Sequence, residues 1–239
     1  MKILSPRGPH GFFGESRRIM TNKINRIADA VKKTEMKILP AEAHPVFRSI
    51  DQFDLGISGD PRQVLYISTK VMGTIELLDD IYTSGHLPEE EIDAAVLGSG
   101  LGAFALPFAV FCEYLNLSRY FVTGFEISPI LLANSQMIAQ EQGINNVRFI
   151  KKDLTQLIRE DFKQFNFIYI FKPFDVDLVD IMDNVYPRIE HGTLLLTRRC
   201  PREGVLRSGL FKYIDTPLEE YYGDEYHLYM RTGKEILLH

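Results

Sequence analysis

Residues 94–109 read AAVLGSGLGAFALPFA. An apolar run ends in three glycines at alternate positions, Gly98, Gly100 and Gly102, and a second apolar run follows at once. The layout predicts a strand, a tight turn and a helix. Glycine takes positive φ at no steric cost and lets a ligand come close to the backbone. The helix behind the turn offers unpaired N–H groups and the positive end of its dipole. Such a turn suits a nucleotide-like ligand that carries a carboxylate or a phosphate. A tight strand-to-helix connection that holds no ligand is the alternative reading.

From Ala94 onward the chain alternates. Strand candidates fall at 94–97, 120–125, 147–151, 165–171 and 192–198, and helix candidates at 103–116, 129–142, 154–163 and 175–186. Alternation of this kind predicts an α/β fold, a doubly wound and mostly parallel sheet with crossover helices on both faces. The strands are apolar along most of their length, as strands covered on both faces are. The tail breaks the rhythm. LFKYIDT and YHLYMRT are two strand-like runs without a long helix between them, and they are expected to pair antiparallel at the end of the sheet.

Upstream, residues 1–90 read as a helical N-terminal cover, and 91–239 as the ligand-binding Rossmann-like domain. Helices are expected near 15–34 and 61–83; in the second, Val64, Ile67, Val71, Ile75, Leu78 and Ile81 recur at helical spacing. The Pro- and Gly-rich stretch between the two reads as turns.

The formal net charge of −5 supplies no basic field of the kind that nucleic-acid binding needs, so a small-molecule partner is expected rather than a nucleic acid. Cys112 and Cys200 stand far apart and match neither a disulfide framework nor a metal-ligand spacing, and the six histidines are scattered, so no metal site is expected. The N-terminal stretch is broken by Pro6, Arg7, Gly8 and Pro9. It reads as no signal peptide, and the longest apolar run is too short to span a bilayer. A cytoplasmic protein without membrane attachment is the expectation.

Two acids stand at the ends of the next two strands. Glu126 closes YFVTGFE and Asp153 follows VRFIKK. Open α/β sheets bind ligands at the carboxyl ends of their strands, where an acid after the second strand accepts the hydroxyls of a ribose. An acid after the third strand can accept an adenine amino hydrogen. Each has a plainer reading as a loop carboxylate or, for Asp153, as the cap of a helix that starts at Leu154.

On these residues the span 94–231 resembles the class I S-adenosylmethionine-dependent methyltransferases. The matching segments are VLGSGLG, GFEISPILLANSQ, VRFIKKDL and FNFIYIFKPF. The resemblance implies S-adenosylmethionine as cofactor and methyl transfer to an unidentified small-molecule acceptor. It implies that Gly98, Ser99, Gly100 and Gly102 contact the methionine part, Glu126 with Ile127 the ribose side, and Asp153 with Leu154 the adenine. YISTKVMGTIELL resembles a segment that closes over the methionine end in some members, which brings in Tyr66, Ser68 and Thr69; Ser68 and Thr69 also read simply as a helix start. Phe171, Lys172 and Phe174 of the FKPF loop are the implied acceptor-pocket residues. No catalytic base is assigned.

Two positions depart from the family pattern. Val96 stands where many members carry an acid that helps hold the methionine amino group, and FKPF lacks the amide or acid of nitrogen-methylating members. A strand without that acid, followed by Gly-Ser-Gly, is similar to nicotianamine synthase-like enzymes, which transfer the aminocarboxypropyl group. A non-catalytic S-adenosylmethionine-binding module is a further alternative. The run Gly98 to Ala103 also satisfies the G-x-G-x-x-A form of nicotinamide-dependent oxidoreductases, yet no catalytic Tyr/Lys or His constellation accompanies it.

Overall fold

The structure is a computed structural model that describes residues 10–38, 48–49, 65–66, 71–171, 184–200, 202–216 and 226–232. The helices are α1 (His10–Ile38), α2 (Val71–Thr83), α3 (Ala105–Tyr114), α4 (Pro129–Glu141), α5 (Arg159–Phe162) and α6 (Arg202–Arg207). The strands are β1 (Arg48–Ser49), β2 (Leu65–Tyr66), β3 (Glu91–Leu97), β4 (Arg119–Glu126), β5 (Val147–Lys151), β6 (Phe167–Phe171), β7 (Leu194–Arg198), β8 (Phe211–Ile214) and β9 (Tyr226–Arg231).

β3 to β9 form one sheet in the order β5-β4-β3-β6-β7-β9-β8. The first five strands of that order run parallel, and β9 lies antiparallel between β7 and β8. This is the expected doubly wound sheet with an antiparallel C-terminal strand. The two tail runs pair with each other, Phe211 opposite Arg231 and Ile214 opposite Leu228.

Alternate residues of each central strand feed two different cores. Ala94, Val96, Val122, Phe149, Phe167, Tyr169, Leu194 and Leu196 lie in the cluster that also holds buried residues of α1 to α4. Ala95, Leu97, Phe125, Ile168, Ile170 and Leu195 lie in the cluster with Leu157, Phe162, Val185 and Val205. Burial on both faces explains why these strands read as continuous apolar runs.

The apolar residues of α1 recur at intervals of three and four, and Met20, Ile24, Ile27 and Val31 are all buried against the cluster of α2 and α3. α3 is buried along most of its length, from Ala105 to Cys112. It lies in the same cluster as the sheet and the two N-terminal helices.

Two local expectations differ from what is found. The helix expected over 154–163 is a 3-10 turn at Leu154–Gln156 followed by the single turn of α5. Asp161 causes the break: its carboxylate accepts the N–H of Ile158 at 2.8 Å and the Lys152 ammonium at 2.7 Å, which starts a new turn. Of the helix expected over 61–83 the described part is α2 at Val71–Thr83, and Leu65–Tyr66 instead pairs antiparallel with Arg48–Ser49. Four apolar residues in a row, Val64 to Ile67, fit a strand as well as a helix. Most of the helix expected over 175–186 lies outside the described residues.

Candidate functional site

The carboxyl ends of β3, β4 and β6 meet at the glycine turn. Gly98, Gly100 and Gly102 all have positive φ, +73°, +54° and +80°. The turn is tied to the neighbouring strand: the N–H groups of Gly98 and Ser99 both donate to the Phe125 carbonyl, at 3.0 and 2.9 Å. Side chains close the remaining space. A Cβ on Gly102 would stand 2.9 Å from Phe149 Cζ, and one on Gly124 would stand 2.6 Å from Phe149 Cδ1 and 2.9 Å from Ser99 Cβ. Phe149 thus packs where two glycines leave room, as an aromatic ring covers a cross-strand glycine; Gly124 and Phe149 are register partners. On Gly98 the position of a Cβ has nothing within 4 Å among the described residues.

Glu126, the last residue of β4, reaches back into this turn. Its Oε2 accepts the Gly100 N–H at 2.7 Å, and its Oε1 accepts the Ser128 N–H at 2.9 Å. Ser128 in turn caps α4, its hydroxyl accepting the Leu131 N–H at 3.3 Å with Pro129 in the first turn. One carboxylate therefore links the glycine turn, the end of β4 and the start of α4. Glu126 is buried, and burial raises its pKa above the ordinary carboxylate value, opposed by the backbone N–H groups of Ser128, Gly100 and Ile127.

Asp153 lies next to this group. The backbone N–H of Lys152 donates to the Glu126 carbonyl, and Glu126 pairs in register with Lys151. Asp153 is half-buried and opens the 3-10 turn at Leu154, its carbonyl accepting the Gln156 N–H at 3.0 Å. Phe171 ends β6 one residue beyond the Leu97–Ile170 pair, beside the glycine turn. Of the other expected site residues, Tyr66 belongs to β2, whereas Ser68, Thr69, Lys172 and Phe174 lie outside the described residues.

Val96 is buried, with Gly124 and Tyr169 as its register neighbours. Tyr169 stacks on Phe104 with ring centroids 3.7 Å apart and planes at 5°. The position that usually carries an acid is thus part of an apolar core under α3, where an unpaired carboxylate would be costly.

The turn has the properties of a cradle. Ser99 is buried, and its hydroxyl has no hydrogen-bond partner among the described residues. No described side chain caps the N-terminus of α3; the Leu106 N–H donates to the Gly102 carbonyl at 2.9 Å, and Pro107 has no N–H to offer. Among the described residues no group of three His, Cys, Asp or Glu side chains is placed to hold a metal, and no helix is long and apolar enough to cross a membrane.

Sequence reading missed two parts of this region. Gly124 within VTGFE is a sequence sign of close approach, but its partner Phe149 is visible only from the register. Arg198 ends β7, buried beside Phe171; the doubled arginine after an apolar strand is its one sequence signal.

No protein-family model matches the chain, and no curated protein does. Among solved structures, magnesium protoporphyrin IX methyltransferase (ChlM) from Synechocystis PCC 6803 with bound S-adenosylmethionine is similar at TM-score 0.50. It is 14% identical and the match covers 68% of this chain and 79% of that one. Fibrillarin from Aeropyrum pernix in complex with S-adenosylmethionine gives 0.47 at 15% identity, over 66% and 75%. An RNA methyltransferase from Salinibacter ruber in complex with S-adenosylhomocysteine gives 0.44 at 16% identity, over 71% and 95%. At these identities the likeness is one of fold, and it rests on the first of the three: this chain has the fold of the class I S-adenosylmethionine-dependent methyltransferases.

Proposed function

We propose that the chain is an S-adenosylmethionine-dependent methyltransferase that acts on a small-molecule acceptor in the cytoplasm. One observation carries the reading: the buried carboxylate of Glu126, at the end of the second strand, holds the Gly100 N–H of the glycine turn at 2.7 Å. A carboxylate oxygen has two lone pairs, so both oxygens of Glu126 retain acceptor capacity for a ribose diol after their backbone bonds. The position on Gly98, with no described atom near it, and the Ser99 hydroxyl fit the methionine end of the cofactor. Asp153 with Leu154 takes the adenine side, and Ile127 lies along the ribose. Tyr66 and Thr69 close over the methionine end, and Phe171, Lys172 and Phe174 line the acceptor pocket. Residues 1–90 serve as the cover and 91–239 as the cofactor domain.

When bound, S-adenosylmethionine supplies an electrophilic methyl carbon on a sulfonium. The chain's own part is placement. Held in line at near-attack distance, acceptor and methyl react without a dedicated covalent intermediate, and orientation alone supplies much of the acceleration. Calorimetry with S-adenosylmethionine and S-adenosylhomocysteine tests the site. Glu126→Ala is expected to weaken binding by roughly 1.5–3 kcal/mol, the worth of hydrogen bonds to a charged group. Unchanged affinity would refute the ribose assignment. Mass spectrometry of the by-product tests the chemistry: S-adenosylhomocysteine marks methyl transfer, and methylthioadenosine without it marks aminocarboxypropyl transfer.

A further inference from the structure

The outer face of the N-terminal helix is charged and open. α1 holds seven Lys and Arg against three acids. Lys23, on its flank, is paired with Glu113 at 2.8 Å. Arg26, Lys32, Lys33 and Lys37 are exposed and make no ion pair with any described residue; Asp29 is the exposed acid among them. Arg26, Lys33 and Lys37 recur at intervals of seven and four and so share one side of the helix. Ile19 and Met36 stand in exposed positions of the same helix, two of the four large hydrophobics so placed among the described residues.

The neighbouring segment has the opposite sign. From Val71 to Asp93 the chain holds seven acids and no Lys or Arg. Glu76 on α2 and Glu89 and Glu90 ahead of β3 are exposed, Asp79 is half-buried, and none of these four pairs with a described cation. Glu91 and Asp93, by contrast, are taken by Arg119. α2, α3 and α4 lie on one face of the sheet, and α1 packs against all three. α1 therefore lies over that layer. With α2 beside it, it forms a step that is basic above and acidic below. A patch of this kind is self-complementary. A two-fold axis along the step sets each α1 on the second copy's α2, cation against acid, and the same contact is made twice.

We propose that the outer faces of α1 and α2 bind a second copy of this chain in a two-fold dimer. From Ser16 to Ile38 α1 runs about 34 Å at about 1.5 Å per residue, and α2 runs about 20 Å. At a helix width of about 10 Å the two faces offer roughly 500 Å² per copy. The total of about 1,000 Å² stands at the lower bound for a specific interface. Exposed ion pairs add little each and are screened by salt. The dimer is therefore weak, reversible and salt-sensitive.

The test is sedimentation velocity of the full chain over a concentration series. Salt runs from about 0.01 M to about 1 M, where the screening length falls from about 30 Å to about 3 Å. A species of twice 27.4 kDa is expected at low salt and the monomer at high salt. Two variants reverse one face each. Arg26→Glu with Lys33→Glu and Lys37→Glu turns the outer row of α1 acidic, and Glu76→Lys with Asp79→Lys turns α2 basic. Each alone should dimerise about tenfold more weakly than the parent or worse, since several exposed ion pairs are lost together. Their equal mixture sets acidic α1 on basic α2 and basic α1 on acidic α2, so it should dimerise as the parent does. Circular dichroism checks the helix content of each variant; where it falls, Lys33→Glu is set against Glu76→Lys, both at exposed sites. A parent that is monomeric at low salt, a dimer indifferent to salt or to either variant, or a mixture that stays monomeric overturns the proposal. So does a monomeric parent that sediments with polyuridylate or with vesicles of phosphatidylcholine and phosphatidylserine, since the cations of α1 then serve a polyanion.

Discussion

Gly98 and Gly102 allow the glycine turn to be taken apart by a pair of equal substitutions. Both have positive φ, +73° and +80°. Alanine at either site meets the same backbone penalty, about 1–2 kcal/mol for an L-residue in the left-handed region. Their surroundings differ. The new methyl on Gly98 has nothing within 4 Å, whereas on Gly102 it meets Phe149 Cζ at 2.9 Å and Leu106 at 3.0 Å. Phe149 and Leu106 both belong to the core cluster and have little freedom to withdraw. Overpacking of that kind adds about 1–3 kcal/mol. Urea unfolding should therefore show a loss of about 1–2 kcal/mol for Gly98→Ala and about 2–5 kcal/mol for Gly102→Ala. Binding should show the reverse emphasis. Gly98→Ala places its methyl in the open space assigned to the ligand and should lose S-adenosylhomocysteine affinity out of proportion to its small loss of stability. A second background sharpens the test. In Phe149→Leu the Gly102→Ala change should recover part of its excess cost, the share due to Phe149, while the Leu106 contact at 3.0 Å remains. Equal stability losses for the two alanines, or no coupling to Phe149, would refute the packing argument.

Gly124→Ala should destabilise the chain by about 1–3 kcal/mol in the same urea assay, since its methyl would meet Phe149 Cδ1 at 2.6 Å. Arg231 donates to the carbonyls of Ile189, Leu210 and Thr232; Arg231→Met takes this donor from the Ile189 carbonyl while the Leu210 carbonyl keeps the Thr232 N–H, and a loss of about 1–3 kcal/mol is expected in the unfolding free energy. Ile24→Ala, on the buried face of α1, should lower the unfolding free energy of the whole chain by about 2–5 kcal/mol, and a change confined to a separate early transition would show that α1 is not part of the common core. Burial raises the Glu126 pKa, so the folded chain gains stability from this group in acid and loses it as the pH rises through the raised value. Cofactor binding runs the other way, tightening as the carboxylate ionises. Calorimetry across pH should place that transition above 4.5, the ordinary value. Glu126→Gln should abolish the pH dependence, because its amide cannot ionise and offers one acceptor where two N–H groups need one each.

The legible parts of the fold are those in which local pattern and tertiary environment agree. β5 lies at Val147–Lys151, where the sequence predicts it, because Val147 and Phe149 face one core, Ile150 packs against the other, and Arg148 and Lys151 are left exposed. The glycine turn and the positions of Glu126 and Asp153 were legible for a related reason: special φ values and strand ends leave marks in a single segment. Three features were not. The break before α5 depends on Asp161 bonding to Lys152, nine residues earlier, just past the end of β5. The fit of Phe149 against Gly102 and Gly124 depends on the register of β4 with β5. Arg198 reads in the sequence as an ordinary charge after a strand, and only the neighbouring rings of Phe171 and Tyr226 show it as buried and held.

The burial of α1 against α3 bears on how the chain is made. A ribosome delivers α1 first, complete at Ile38, whereas α3 is complete only at Tyr114. At about 5–20 residues per second, the apolar stripe of α1 waits about 4–15 s for the helix it will cover. Until α2 follows, complete at Thr83, Met20, Ile24, Ile27 and Val31, all buried in the finished protein, stand on an unpartnered amphipathic helix. α3 meets a matching problem at once, since it carries apolar residues on every side and needs both the sheet and α1 to cover them. The glycine turn leads directly into α3, an element whose covering is finished only when the N-terminal helix has docked.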